Sequence, residues 1–533
     1  MSLLSIITKA LNALDLDDEV NRLVIDRTVN VCRNRPHPWS TKHDYISWSG
    51  LTDRTYNARL LPAKPPTGEG IGTSRPPLQA TAALFARLPG TNQRLCPKST
   101  GLFPAFAQYL TDGFIRTMLH NDDDKEDRRR TTSNHEIDLS PLYGRTEAQT
   151  RALRAGTGGR LKSQVINGEE YSPFLFGADG NVKPEFAILD LPLGLKNVTP
   201  AGKATLFAVG GDRVNAVPQT AMMNTLFLRE HNRLAGQLAA KNPTWDDDRL
   251  FETARNIVIV MFIKIVVEEY INHINTTEFP LQADPKVAWR AKWNRPNWMT
   301  VEFSLLYRWH GLVMENVTWG DKAHPGNSTL LNNSLLIGSG LAQSFVNTSA
   351  NRTATLGLEN AASFMMFAET GAINQARINN VASYNDYRLA MGMEPARNFA
   401  AIVGSSDTPA EQARLSALAK RLEGLYGDVN NVEYYIGLFA ERVEKNGPLP
   451  ELVSSMVAMD AFSQALTNPL LSEHVWGNPA NKRLAFTDEG IKVIEQTNRL
   501  RDIVDRNAKG LGNAFVGMTR KEWKRAYTND REA

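Results

Sequence analysis

Hydrophobic positions recur along most of this chain at intervals of three and four, the spacing that lines one face of an α-helix. The first such run, residues 2–29, carries Leu3, Leu4, Ile7, Leu11 and Leu14, then Val20, Leu23 and Val24, and predicts two short amphipathic helices. Their polar faces are mixed in sign rather than lysine-rich, which favours packing on a body over lying on a membrane surface. Residues 102–118 (LFPAFAQYLTDGFIRTM) repeat the pattern, as do residues 220–239, with Pro218 placed where helices begin. After a break at residues 242–245, Asp247 can cap a helix over 249–274 that is apolar on most sides and therefore expected to be central. Residues 301–313 (VEFSLLYRWHGLV) predict one helix with Tyr307 and His310 three positions apart on neighbouring parts of a face. Further helices are expected over 358–372, 410–425 and 488–506, the last opening on a capping-like run that includes Asp488. Strand-like alternation is scarce and no internal repeat is visible, so the expected class is mainly α.

The intervening stretches divide the chain. Residues 34–77 are rich in Pro, Gly, Thr and Ser and read as an irregular arm wrapped over a body. Residues 280–298 read as a second arm, and the charge run over 120–132 as a solvated loop. The expected organisation is N-terminal amphipathic helices in 1–33, a wrapping arm in 34–97, one large helical body over 98–510 and a tail over 511–533.

Composition narrows the class further. The 533 residues are 42% hydrophobic and 22% charged, near the averages of soluble globular proteins. With 60 basic against 57 acidic residues the formal net charge is +3, which gives no reason to propose nucleic acid. Two cysteines, Cys32 and Cys96, make neither a disulfide framework nor a thiolate metal site. The N-terminus lacks a basic region and cleavage signature, so no signal peptide is read. The apolar run 257–267 is interrupted by Lys264 and is shorter than the about 20 residues that span a bilayer. A cytoplasmic protein is expected, with peripheral membrane contact left open.

Phosphate-loop, dinucleotide-loop, HExxH, CxxC and GxSxG patterns are all absent from the sequence. The nine histidines are scattered, so a site that needs only one, such as an axially ligated haem, is easier to supply than a multi-histidine centre. His310 could provide that nitrogen, with the Tyr307 phenol close enough to be oxidised by the iron. The plainer alternative is a core helix whose histidine is hydrogen-bonded.

Several stretches in order turn the balance. LREHNRLAGQL at 228–238, with NPTWDDDRLFETARNIV at 242–258, resembles the animal-type haem peroxidase superfamily. EFSLLYRWH at 302–310, HDYISW at 43–48 and RLLPAKP at 59–65 are similar to its cyclooxygenase (prostaglandin synthase) branch. FAQYLTD at 106–112 resembles the distal helix and DLSPLYG at 138–144 the segment after it. YNDYRLAMGMEP at 384–395, LYGDVNNVEYYIG at 425–437 and GIKVIEQTNRLRDIV at 490–504 continue the match. The chain looks like a bacterial-type cyclooxygenase relative.

That resemblance implies a haem b whose iron is held by His310, with Trp309 packed beside it. Tyr307 becomes the tyrosine that forms a radical and takes a hydrogen atom from a fatty acid or similar lipid, after which O2 adds and a hydroperoxide results. Tyr435 matches a proximal tyrosine that supports the ligand through water, and Tyr270 one that braces the radical tyrosine. Gln108 matches the distal glutamine and Arg213 the arginine that polarises bound peroxide. The position four residues after Gln108, a histidine in the family, is Asp112 here. The carboxylate could shuttle protons poorly or take another role, or Asp112 could point away as a helix-surface residue. The two acidic positions that esterify haem match Thr111 and Ala216, so non-covalent haem is implied. Calcium is disfavoured because its acidic ligand position matches Gly113, although Asp138 and Ser140 persist. The serine acetylated by aspirin aligns with Ala461, which argues against prostaglandin stereochemistry but not against dioxygenation. Arg27, with Arg33 as competitor, stands near the position of the arginine that pairs with a fatty-acid carboxylate. The main expectation is a haem-dependent fatty-acid dioxygenase. A peroxidase oxidising small reductants and a haem-binding protein without catalysis are the alternatives. Homodimerisation is left open.

Overall fold

The computed structural model describes residues 17–32, 39–65, 75–117, 129–277 and 279–526. The first of the two N-terminal helices, Arg33 and most of the charge run lie outside them. The principal helices are α1 (Asp17–Asn30), α2 (Leu102–Asp112), α3 (Pro218–Lys241), α4 (Asp247–Ile265), α5 (Val301–Leu306), α6 (Ser334–Ala350) and α7 (Met366–Ile378). They continue as α8 (Tyr384–Ala390), α9 (Pro409–Tyr426), α10 (Tyr434–Ala440), α11 (Glu451–Leu466), α12 (Pro479–Glu495) and α13 (Leu500–Asn507). Among the described residues the strands form only antiparallel pairs: β1 (Leu95–Thr100) with β6 (Arg352–Ala354), β2 (Gln164–Ile166) with β3 (Glu169–Tyr171), and β4 (Asn316–Trp319) with β5 (Lys322–Pro325). The fold is mainly α.

The longest helices make the centre. α3 starts at Pro218, where a missing amide proton costs nothing, and the Thr220 hydroxyl accepts from the Val217 amide at 3.4 Å. α4 is capped by Asp246, whose carboxylate accepts from the Arg249 amide, while the expected cap Asp247 instead receives the Gly159 amide and the Arg154 guanidinium. It then widens into a π-helical segment, Val266–Ile271, that carries Tyr270. α3 packs against α2, α4 and α6, which brings the expected distal helix onto the core. α1 packs on α11 and buries Ile25 and Val29, so the described N-terminal helix lies on the body. No helix among the described residues is long and apolar enough to cross a membrane.

Two other expectations shift. The segment 358–372 is irregular at its start, and the helix there is α7, beginning at Met366. The segment 488–506 divides: α12 bends at Thr487, whose φ of 61° breaks the helical path and whose hydroxyl then accepts from the Gly490 amide, and α13 follows separately.

The arm over residues 39–65 is largely irregular and grips α5 from outside. The Ala58 amide donates to the Met299 carbonyl at 2.8 Å, and the Ala58 carbonyl accepts from the Val301 amide at 2.9 Å. Glu302, 1% exposed, accepts from the Leu60 amide at 3.0 Å and from the Tyr387 hydroxyl of α8 at 2.6 Å. Glu302→Ala orphans both donors at about 1–3 kcal/mol each. A clear fall in the denaturant midpoint is expected, with Glu302→Gln falling less. Equal midpoints for wild type and Glu302→Ala would show that the clamp carries no stability.

Candidate active site

The segment 301–313 is not one helix. α5 opens on Thr300, whose hydroxyl accepts from the Phe303 amide at 3.0 Å, and stops at Leu306 with Tyr307 as its C-cap. A separate 3-10 turn, His310–Leu312, follows. The reason lies in the rings. Tyr307 and Trp309 stack with centroids 4.8 Å apart and planes 23° apart, yet side chains two positions apart do not face each other on an α-helix. Stacking them requires the break.

Tyr307 is 5% exposed and packs on Phe303 as well. Trp309 and Tyr270 both pack on Phe103 of α2, at 5.5 and 5.6 Å, so an aromatic layer joins the distal helix to this turn. The Tyr270 hydroxyl lies beside that of Tyr307, close enough for each to influence the other's ionisation. Each hydroxyl has the other as its polar neighbour, outside ideal hydrogen-bond geometry. Burial raises the Tyr307 phenol well above its ordinary value, against the pull of the Tyr270 hydroxyl and with a further push from the Asp460 carboxylate, so it stays protonated.

His310 is partly exposed, while its Nδ1 is buried and lacks a hydrogen-bond partner. Glu369 of α7, 1% exposed, places Oε2 3.5 Å from that nitrogen. The same oxygen accepts from the Tyr435 hydroxyl at 2.7 Å, and the Tyr435 hydroxyl also lies 3.2 Å from the Arg308 carbonyl. Nδ1 is therefore turned towards the carboxylate, leaving Nε2 as the nitrogen available to a metal. Leu312, two residues on, lines an open cleft together with Pro104, Ala105 and Gln108 of α2, Val217 and Gln219. His310, Tyr307 and Asp112 are not among the residues that line it. A mostly apolar cleft with a few polar groups beside a lone available imidazole fits a flat, largely apolar group such as haem.

Asp112, the last residue of α2, is neither at the surface nor on the cleft. It is 1% exposed, and Oδ2 accepts from the Arg213 amide at 3.3 Å, with Oδ1 3.8 Å from Arg213 Nη1. Asp212 pairs with the same guanidinium at 3.0 Å and with buried Arg116 at 3.1 Å. The expectation of a helix-surface aspartate is thus corrected: opposite charges from a distant loop hold it inside. Burial, then the Asp212 carboxylate, pushes Asp112 up to about 7 against the pull of Arg116 and Arg213.

Residues 104–515 match the family described as animal haem peroxidase. The chain belongs to that family. Its relatives include prostaglandin G/H synthase 1 of Rattus norvegicus, 31% identical over 513 residues that cover 93% of this chain and 78% of the relative. Among solved structures, fatty acid alpha-dioxygenase of Arabidopsis thaliana superposes with a TM-score of 0.70 at 14% identity, covering 96% of this chain and 90% of that one. Peroxidase A of Dictyostelium discoideum superposes with a TM-score of 0.68 at 18% identity, covering 91% and 99%. As an animal haem peroxidase family member the chain is an oxidoreductase, and the family carries haem iron.

Of the residues expected at the site, Tyr307, Trp309, His310, Tyr435 and Tyr270 come together around this turn, Gln108 lines the cleft, and Asp112 and Arg213 pair with each other away from it. Ala461 is buried on α11, and Arg27 is exposed on α1, which packs on that helix. Two residues near the site were not expected from the sequence. Glu369 is 66 positions from Tyr435, and nothing local marks it as a partner of His310. Arg308 shows the reach of the distal charges: burial, then the Arg213 guanidinium, pulls it down to about 10.

Asp112 yields a pH prediction. Its folded value, about 7, lies above the ordinary 3.8, so the folded state holds the proton more tightly than the unfolded chain. That contribution is complete below pH 3.8 and is lost as pH rises to about 7. Wild-type stability relative to Asp112→Asn should fall across this window and level off above it. Denaturant titrations at several pH values measure the difference, and a flat difference would show that folding leaves the proton affinity of Asp112 unchanged.

Proposed function

We propose that this chain is a haem-dependent dioxygenase that inserts O2 into a fatty acid or related lipid through a tyrosyl radical and releases a hydroperoxide. The observation that carries the proposal is Tyr307: a buried, protonated phenol whose hydroxyl faces only that of another tyrosine, Tyr270, three residues from an imidazole with one nitrogen available. A phenol without a committed acceptor can give up its hydrogen and take it back without breaking a strong hydrogen bond. The names of the relatives, prostaglandin G/H synthase and fatty acid alpha-dioxygenase, support the substrate class.

His310 would hold the haem iron through Nε2. Non-covalent attachment follows from the two positions that would otherwise form esters. The Thr111 hydroxyl is spent on the Ala107 carbonyl at 2.9 Å, and Ala216 has only a methyl group. Bound haem would supply the one-electron oxidation that converts Tyr307 to a phenoxyl radical. Tyr307 then removes a hydrogen atom from a bis-allylic or α carbon, breaking one C–H bond and forming its own O–H bond. O2 adds to the carbon radical, forming a C–O bond. The resulting peroxyl radical takes the hydrogen back from Tyr307, so substrate plus O2 becomes hydroperoxide and the tyrosyl radical is regenerated. Trp309 and Phe303 hold the phenol ring between them, and Tyr270 faces its hydroxyl.

On the peroxide side, Asp112 is committed to Arg213, and the polar side chain that α2 brings to the cleft is the amide of Gln108, an arrangement that supports dioxygenation over sustained peroxidase turnover.

Two variants test the reading. Tyr307→Phe should retain the haem spectrum and lose O2 uptake with unsaturated and saturated fatty acids by at least two orders of magnitude in an oxygen electrode. His310→Ala should lose haem. Normal uptake in the first, or unchanged haem occupancy and spectrum in the second, refutes the corresponding role.

A further inference from the structure

Glu369 has no part in the radical chemistry above, yet it is the carboxylate beside the orphaned Nδ1 of His310. A carboxylate that is 1% exposed is costly to keep charged unless hydrogen bonds satisfy it. One of its donors is Tyr435, at 2.7 Å on Oε2, and that same oxygen stands 3.5 Å from Nδ1. A small turn of the imidazole closes this gap to hydrogen-bond length. We infer that Glu369 is a positioning residue that accepts the Nδ1–H of His310, fixes the ring with Nε2 left for the iron and makes it an electron-rich axial donor. Metal-bound histidines commonly pass their second N–H to a carboxylate, which raises their basicity.

The inference rests on the proposed role of His310 as haem ligand and deepens it. An electron-rich donor favours ferric over ferrous iron and assists peroxide cleavage from the proximal side. That offsets a distal side whose aspartate is tied to Arg213. Tyr435 sets the strength of the effect, because it competes with His310 for the same oxygen.

The test is the haem midpoint potential of the reconstituted protein, with the iron–histidine stretching frequency of the ferrous form as a second readout. Glu369→Gln keeps the volume but removes the charge. It should raise the ferrous-to-ferric ratio at fixed potential by about tenfold, about 59 mV for a one-electron couple, and lower the stretching frequency. Tyr435→Phe frees Oε2 for His310 and should shift both readouts in the opposite direction, which a merely structural role would not do. Unchanged readouts in Glu369→Gln, or shifts of the same sign in both variants, overturn the inference. Should Glu369→Gln fail to take up haem, Tyr435→Phe decides alone: a negative shift upholds the inference and no shift overturns it. His310→Ala separates the two levels. If it keeps the wild-type haem spectrum, the ligand assignment falls and takes the inference with it. If it loses haem while Glu369→Gln matches wild type, only the inference falls.

Discussion

The six residues of α5 are too few to be stable as a helix in isolation, since helices shorter than about 12–15 residues are marginal in water. They are held instead from outside. The arm pairs with the backbone on either side of Thr300, and Glu302 ties the first turn to the Leu60 amide and the Tyr387 hydroxyl. The far end is set by the stacking of Tyr307 on Trp309. With both ends fixed, the phenol and the imidazole keep their relation to the body without depending on helix propensity. The irregular arm therefore belongs to the site as much as the helices do, because it fixes the segment from which Tyr307 and His310 project.

The charges around the site form two groups. Behind His310 stand Glu369 and Tyr435, an acceptor with its donor. Beside the end of α2 stand Asp112, Asp212, Arg213 and Arg116, a set in which two carboxylates and two guanidiniums largely neutralise one another. Arg308 connects the groups, lying between Tyr307 and Trp309 in sequence while its cation is destabilised by burial and then by Arg213. Buried polar groups are expensive unless satisfied, so these clusters are costly to disturb and hold their geometry. Within one turn, by contrast, the Trp309 indole nitrogen and His310 Nδ1 are buried without hydrogen-bond partners, and the Tyr307 hydroxyl faces only that of Tyr270.

Sequence periodicity identified the long helices because their ends carry local chemistry. Pro218 opens α3, and the apolar stripe over 410–425 became α9 almost to the residue. Two acids in succession, Asp246 and Asp247, could not be ranked as caps, since only their tertiary partners distinguish them. The break after Leu306 was invisible for a different reason. The apolar spacing of Phe303, Leu306 and Leu312 remains compatible with a helix, and the ring stacking that ends it depends on Phe103 from α2 packing on Trp309. Glu369 was missed because its partners, Tyr435 and His310, come from other elements. The ordered family motifs singled out Tyr307, His310, Gln108 and Arg213 as candidates, yet no motif tells whether an aspartate at the end of α2 faces solvent, the cleft or an arginine.

The geometry around Asp112 makes its replacement of histidine more than the loss of an acid-base group. A Cβ on Gly211 would stand 1.9 Å from Asp112 Oδ2, so the backbone of this loop can approach the carboxylate only because residue 211 is glycine. Arg213 then takes its amide contact from the same oxygen. Aspartate and loop thus form one unit, and a histidine in this place would have to displace the Gly211 backbone or swing its longer ring elsewhere. The position therefore sets where Arg213 sits, and through Arg213 the charge felt by Arg308. On this argument the distal aspartate acts mainly by placing an arginine, and any proton chemistry at the cleft falls to groups other than Asp112.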